Sequence, residues 1–339
     1  MRGAAPRFLV AGRLTRDYLV LPTGEPQLDI PGGSALYATV GLLLWEPDPP
    51  PAIIARVGED YPQEWLDDFS RCGLNVSGVH VLPEAVDLRS FTAFVDRSTR
   101  AMDEPVAHFA RLGLPFPRAL LGYKTPAMGV DSRTRLLPTS LRQADFPSEF
   151  MGAGAIHFCP LDYLAHSLLP TILRQAEFTA ITLDPSPGYM NPTFWENVPT
   201  IITGLTAFIP SEEEIRSLFQ SRSDDLREMA ETLASYGCSI IVIKRGERGQ
   251  LLYDAASHNL WEVPAYPAHM VNPIGAGDAF CGGFLAGFRR TYDPLQAVLY
   301  GNVAASLVVE GHRATYALDV LPGLPQARLE SLQQSVRKV

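Results

Sequence analysis

The stretch Val271–Phe288, VNPIGAGDAFCGGFLAGF, sets one carboxylate in a glycine-rich and otherwise apolar run. Asp278 follows Gly275-Ala276-Gly277 directly and precedes small and apolar residues suited to a packed helix. Backbone N–H groups in the first turn of a helix lack intrahelical partners and carry partial positive charge, so such a start attracts anions. Glycines there let a phosphate come close to the backbone. A carboxylate in the same turn cannot bind the anion, but it can take a proton from a substrate hydroxyl, as the base of a phosphoryl transfer does. It can equally do no more than favour the helix N-terminus. Both readings stand at this point. The stretch is not a Walker A loop, since GxxxxGK[ST] occurs nowhere in the chain. Nor is it GxGxxG, because Phe280 stands where the third glycine belongs.

The composition narrows the classes. A chain of 339 residues with 46% hydrophobic and 19% charged residues has the make-up of a globular protein with a large core. A net charge of -9 argues against a nucleic-acid partner or an anionic membrane surface, both of which need a basic field. Cys72, Cys159, Cys238 and Cys281 lie far apart without CxxC, which reads as reduced thiols rather than a zinc site or a disulfide framework. The N-terminal MRGAAPRFLVAGRL lacks the form of a signal peptide, and Ala35–Trp45 is too short to span a bilayer. A cytoplasmic protein is the expectation. Asn75-Val76-Ser77 fits a glycosylation acceptor, which without a secretory signal reads as chance. Seven histidines without HExxH and a chain without GxSxG point away from histidine-based and serine-hydrolase sites.

Short apolar runs alternate with amphipathic stretches. Strands are expected at 8–12, 53–57, 155–158, 180–184, 207–210 and 239–244. Helices are expected at 34–45, 62–72, 164–175, 212–219, 224–236, 277–290 and 294–309. This order implies a mostly parallel sheet covered by helices on both faces. Two regions with mixed faces, 14–30 and 89–96, suit a small separate sheet. The span from about 105 to 150, rich in Pro, Arg and Leu, reads as an irregular and mobile insertion.

Four further features can carry chemistry. Gly32-Gly33 before a helix forms a close-approach turn, or simply a turn. Asp17, just after the first strand, can accept two hydroxyls of a polyol or be a solvated loop acid. The turn Lys244-Arg245-Gly246-Glu247 leaves the carboxyl end of a strand, where open α/β sheets bind ligands. Ser211-Glu212-Glu213-Glu214 opens a helix, and one of its acids can hold a hydrated magnesium ion instead of only complementing the helix dipole.

Together these pieces resemble the ribokinase family of sugar kinases, also called the PfkB family, over nearly the whole chain. NPIGAGDAFCGGFLAG is similar to its C-terminal signature, PGGSALYATVGLLL to its sugar-pocket motif and FLVAGRLTRDYLV to its opening strand. ARVGEDYPQEWLDDFSRCGLNVSGV, IVIKRGERG and GNVAASLVVEG follow in the family's order. The resemblance implies one ribokinase-like domain over 1–339, a three-layer α/β sandwich with a mostly parallel central sheet. A small β-sheet lid would lie within about 14–30 and 89–110. It implies Asp278 as the catalytic base and Gly275, Ala276 and Gly277 as the anion hole. Asp17, Gly32, Gly33 and Tyr37 would face the substrate, Lys244, Gly246 and Asn302 the nucleotide, and Glu214 the magnesium shell. ATP and Mg²⁺ follow as cofactors, and exposed lid strands offer a homodimer. Tyr37 stands where members commonly have asparagine, and Asn272-Pro273 where an aspartate opens the signature, which weakens the case for a monovalent cation. The expected activity is phosphorylation of a hydroxyl on a small sugar or polyol. A nucleoside kinase with Tyr37 against a base, and a silent sugar- or nucleotide-binding regulator, remain as alternatives.

Overall fold

The computed structural model describes residues 5–96, 99–125, 129–176 and 178–338. Parts of the expected lid (97–98) and insertion (126–128) lie outside the described residues. β1 (Phe8–Ala11) enters the core, and from its carboxyl end the chain leaves for β2 (Thr15–Val20) and β3 (Pro26–Gly32). It returns through α1 (Ser34–Leu43) to β4 (Ala52–Val57), then through α2 (Gln63–Arg71) to β5 (Asn75–Val81). A second excursion forms β6 (Arg89–Phe94), β7 (Arg100–Ala101) and α3 (Pro105–Arg111). The chain then alternates through β8 (Ala155–Phe158), α4 (Tyr163–Arg174), β9 (Ala180–Leu183), α5 (Val198–Ile202), β10 (Ala207–Phe208) and α6 (Glu212–Leu218). After α7 (Leu226–Ser235) come β11 (Ile240–Lys244), β12 (Gln250–Asp254) and β13 (Asn259–Val263). α8 (Ala276–Thr291), α9 (Pro294–Val308), α10 (Leu324–Gln333) and β14 (Arg337–Lys338) close the chain.

The large sheet runs β14-β13-β12-β11-β10-β9-β8-β1-β4-β5. It is parallel from β11 to β5 and antiparallel through β12, β13 and β14. Both faces are buried, as near-continuous apolar strands require. Phe8 and Val10 of β1 enter one core with α1, α8 and α9, while Leu9 and Ala11 enter the other with α4, α5 and α7. Each such Leu or Phe contributes about 1.5–3 kcal/mol by burial.

α1 and α8 approach backbone to backbone. A Cβ on Gly41 would strike the Ala279 carbonyl, and one on Gly282 would strike the Ala38 carbonyl. Only a side chain of hydrogen fits at these two points. The contact holds the first half of α8 against the middle and end of α1, the helix that carries Tyr37.

The two excursions build a second sheet in the order β3-β2-β6-β7. Its outer face carries Tyr18, Val20, Phe91 and Ala93, and α3 with Leu120 covers it. Side chains alternate along a strand, so Asp17 points to the opposite face. The Arg16 guanidinium grips both oxygens of Asp29 on β3, at 2.8 and 2.6 Å. The insertion is more ordered than its composition indicates. It includes α3, and Arg56 of β4 binds Asp145 at 2.8 Å and the Pro138 carbonyl at 3.0 Å. Leu141, Phe146 and Phe150 enter the core.

Several elements depart from the expectation. β5 (NVSGVHV), with a polar residue at every second or third place, and the antiparallel β12, β13 and β14 were not anticipated. The helix expected from Asp224 begins at Leu226, because the Asp225 side chain accepts the Arg227 N–H and caps it.

Candidate active site

The parallel strands aim their carboxyl ends at one edge of the sheet, and the expected site residues gather there. Gly275 is the N-cap of α8, at φ 77 and ψ 0, a left-handed conformation that favours glycine. A Cβ on Gly275 would lie within the Tyr37 ring, so the phenol packs flat on this turn. Asn272 is buried and fixes the approach to the turn. Its Oδ1 accepts the Ile274 N–H at 3.0 Å, while its own N–H reaches the Val309 carbonyl. Neutral hydrogen bonds therefore hold the segment where the signature has an acid. The Ala276 N–H turns back to the Pro273 carbonyl at 3.4 Å, and the helix start leaves the Gly277 and Asp278 N–H groups for an anion.

Asp278 sits in that first turn, partly buried. Burial pushes its carboxyl up to about 6, with Lys244 pulling the other way and Glu214 and Asp17 adding to the rise. A carboxylate so placed is ionised at neutral pH yet more basic than one in water. Both properties suit a general base.

Asp17 lies on the inner face of the small sheet, 4% exposed. The Thr15 hydroxyl donates to it at 2.6 Å, while burial raises its carboxyl to about 6. Gly32 and Gly33 link β3 to α1. A Cβ on Gly32 would collide with the Asp17 carboxylate, and Gly33, at φ 103, presses on the Arg13 carbonyl. These two glycines thus make room for Asp17 and turn the chain into α1. Tyr37 and Tyr61 have buried hydroxyls without a hydrogen-bond partner. Burial and the Asp17 charge raise both phenols, and Asp278 acts on Tyr37 as well. The Asp17 and Asp278 charges both act on Tyr37, and Asp17 acts on Asp278, so the three groups share one electrostatic environment.

On the other side, β11 ends at Lys244, whose ammonium binds the Asp184 carboxylate at the end of β9. Its Nζ is 3.8 Å from the Cys281 Sγ and 3.6 Å from where a Cβ on Gly277 would stand. Gly246 follows in the turn at φ 58. Glu214 is engaged in a capping box: it accepts the Ser211 N–H at 2.8 Å and hydroxyl at 2.7 Å, and the Ser211 hydroxyl accepts the Glu214 N–H. Burial and the nearby Asp184 raise Glu214 to about 7.

Asn302 stands apart from this group in its bonding. Its Oδ1 accepts the Tyr266 N–H at 2.9 Å, and its amide donates to Gln250 and the Pro264 carbonyl, both at 2.8 Å. The side chain braces the segment after β13.

Sequence reasoning passed over Asp184, Cys281 and Tyr61. For Asp184 a signal existed: it ends a buried parallel strand, on the edge where such sheets bind ligands.

Residues 157–321 match the profile of the pfkB family carbohydrate kinase. This segment, just under half of the chain, is similar to that family. The match takes in Asp184, Glu214, Lys244 and the α8 turn, but it begins after Asp17, Gly32, Gly33 and Tyr37. A cytidine kinase of Thermococcus kodakarensis is 27% identical over 286 residues, covering 84% of this chain and 88% of that protein. A 5-dehydro-2-deoxygluconokinase of Geobacillus kaustophilus is 29% identical over 115 residues, 34% of each chain. Arabidopsis thaliana ribokinase, solved with ribose and ATP, superposes with a TM-score of 0.68 at 16% identity, over 97% of this chain and 99% of that one. The fold of this kinase is accordingly ribokinase-like, a large mostly parallel sheet with helices and a smaller separate sheet. Among the described residues, no helix is long and apolar enough to cross a membrane.

Proposed function

We propose that this kinase transfers the γ-phosphoryl group of ATP to a hydroxyl of a small sugar or sugar-like polyol, with Asp278 as general base. The observation that carries this reading is the α8 start: a left-handed Gly275, first-turn N–H groups and a carboxyl raised to about 6, all within one turn. Asp17, across Tyr37 from Asp278, would hold hydroxyls of the acceptor. Gly32 and Gly33 would let the sugar approach the backbone. The Lys244–Gly246 turn would lie along the nucleotide phosphates.

Magnesium fits this arrangement in a limited way. Among the described residues no three His, Cys, Asp or Glu side chains converge as a metal cage. Mg²⁺ is commonly held by one or two carboxylates, several waters and substrate phosphates. Glu214 is the carboxylate that would face it, and the ion would supply positive charge to the phosphates. At position 272 a neutral side chain, which accepts the Ile274 N–H, stands in place of an acid that could face a monovalent cation.

A nucleoside acceptor is the second reading. Two buried phenols near Asp17 offer a flat, hydrogen-bonding wall, and the cytidine kinase aligns over most of this chain. A screen for ADP release across sugars, sugar acids, inositols and nucleosides tests both. Turnover with a sugar or polyol supports the first reading, turnover with nucleosides alone supports the second, and turnover with neither contradicts both.

A further inference from the structure

Lys244 ends β11, and the residues after it turn outward. Its side chain does not follow them. It runs under α8, where its ammonium is bonded to Asp184 and close to Cys281 and to the backbone of Gly277. Its side chain is 14% exposed and that of Asp184 4%. Taking both charges out of water is costly, so an ion pair in this place is weak evidence for stability alone. A lysine needed only to attract nucleotide phosphates would reach them from the exposed turn. Here the cation is fixed beside the unpaired N–H groups of the α8 start, where negative charge would gather.

We infer that Lys244 is a catalytic residue of the phosphoryl-transfer centre, contacting the transferring group beside Gly277, and that Asp184 is the positioning residue that holds it there. In the step, the acceptor oxygen forms a bond to the γ-phosphorus as the bond to the β–γ bridging oxygen breaks. The electron pair of the broken bond leaves on ADP, and the acceptor proton passes to Asp278. Burial opposes the lysine charge, but the bonded Asp184 carboxylate offsets it, so the ammonium stays protonated. It contributes charge and transfers no proton. Preorganised donors aimed at such charge act most strongly in a site that excludes water.

This inference rests on the phosphotransfer reading, and the test separates the two. Lys244→Met paired with Asp184→Asn removes both charges without leaving a carboxylate buried alone. The probes are Mg·ADP and Mg·ADP with aluminium fluoride, a mimic of the phosphoryl group in flight, titrated by calorimetry in the presence of the acceptor found by screening. The double variant should bind Mg·ADP within about 3-fold of the wild type and lose on the order of 10²-fold of the added affinity that fluoride gives. Asp184→Asn alone keeps the lysine and the shape of its holder; it should lose part of the fluoride gain with ADP binding unchanged, and it decides the matter if the double variant fails to fold. In Lys244→Met the acid limb of the kcat/KM profile should also move to higher pH, because Lys244 pulls the Asp278 carboxyl down. An equal loss of ADP and ADP–fluoride affinity would return Lys244 to the nucleotide turn and overturn the inference. Unchanged binding of both would make the pair structural, which overturns it too. A wild type with turnover on no acceptor and no fluoride gain would remove the phosphotransfer reading, and this inference with it.

Discussion

The Tyr37 ring lies flat against the backbone of Gly275, so close that a Cβ on residue 275 would stand inside the ring. The acceptor side of the pocket and the anion-binding turn therefore share one contact. It exists because α1 and α8 meet through Gly41 and Gly282, with each glycine against a carbonyl of the other helix. Gly275→Ala should both strain a left-handed backbone and push Tyr37 aside. Strain of this kind costs about 1–3 kcal/mol. Expected together are a lower melting temperature and a loss of kcat. Full activity in a stable Gly275→Ala protein would show that the contact is dispensable.

Asp278→Asn should remove the base while leaving the fold. Loss of a general base lowers the rate by about 10²–10⁴-fold. The same change should raise stability. Burial holds the folded Asp278 carboxyl at about 6, above the usual 3.8, so its contribution favours the folded state below about pH 4 and is lost as pH rises through 6. The asparagine variant should melt a few degrees higher than the wild type at pH 8, and the gap should close near pH 4. Equal melting temperatures across that range would mean that the carboxyl is not under strain from burial.

The activity profile should carry the same group with the opposite consequence. The base must be ionised, so kcat/KM should rise with pH through about 6 and level off above it. A profile still flat down to pH 4 would exclude a buried carboxyl as the base.

His157 and His166 form a separate acid-sensitive pair. Burial lowers them to about 3 and about 4, with His157 bonded to the Thr182 hydroxyl and His166 to Tyr189 and the Cys159 carbonyl. Their folded pKa lies below the unfolded value, so their contribution is present above about pH 6.5 and is lost as pH falls toward 4. His166→Gln should flatten the decline of the melting temperature between pH 6.5 and 4. An unchanged slope would assign the decline to other groups.

Much of this arrangement was legible in the sequence, and the rest was hidden for physical reasons. The parallel strands were readable because both of their faces are buried, and the α8 turn because Asp17, Gly32-Gly33 and the Lys244–Glu247 turn stand in matching order with it. The separate sheet showed itself as strands with mixed faces. Asp184 was readable only as the end of a buried strand, since an acid followed by Pro185-Ser186-Pro187 looks like any solvated loop and its partner Lys244 is remote in the chain. The direction of the Lys244 side chain was equally hidden. Its place at the end of β11 suggested the turn, whereas the buried Asp184 draws it under α8. Asn302 was assigned to the nucleotide by resemblance, yet its amide is engaged by Gln250, Pro264 and Tyr266, contacts that no local pattern announces.

Acceptor choice should depend on Tyr37. Tyr37→Asn shortens the side chain, opens space beside Gly275 and removes the buried phenol near Asp17. The variant should shift kcat/KM between acceptors by about 10-fold or more, since pocket changes of this size are worth roughly 1–3 kcal/mol. An identical acceptor ranking in variant and wild type would place Tyr37 outside the recognition surface.

The most direct measurement is transfer of a labelled γ-phosphoryl group from ATP to the acceptor that releases ADP in the screen, compared between the wild type and Asp278→Asn. The account predicts a labelled phosphorylated acceptor with the wild type and a product rate lower by about 10²-fold or more with the folded variant. Equal product from both proteins would contradict it.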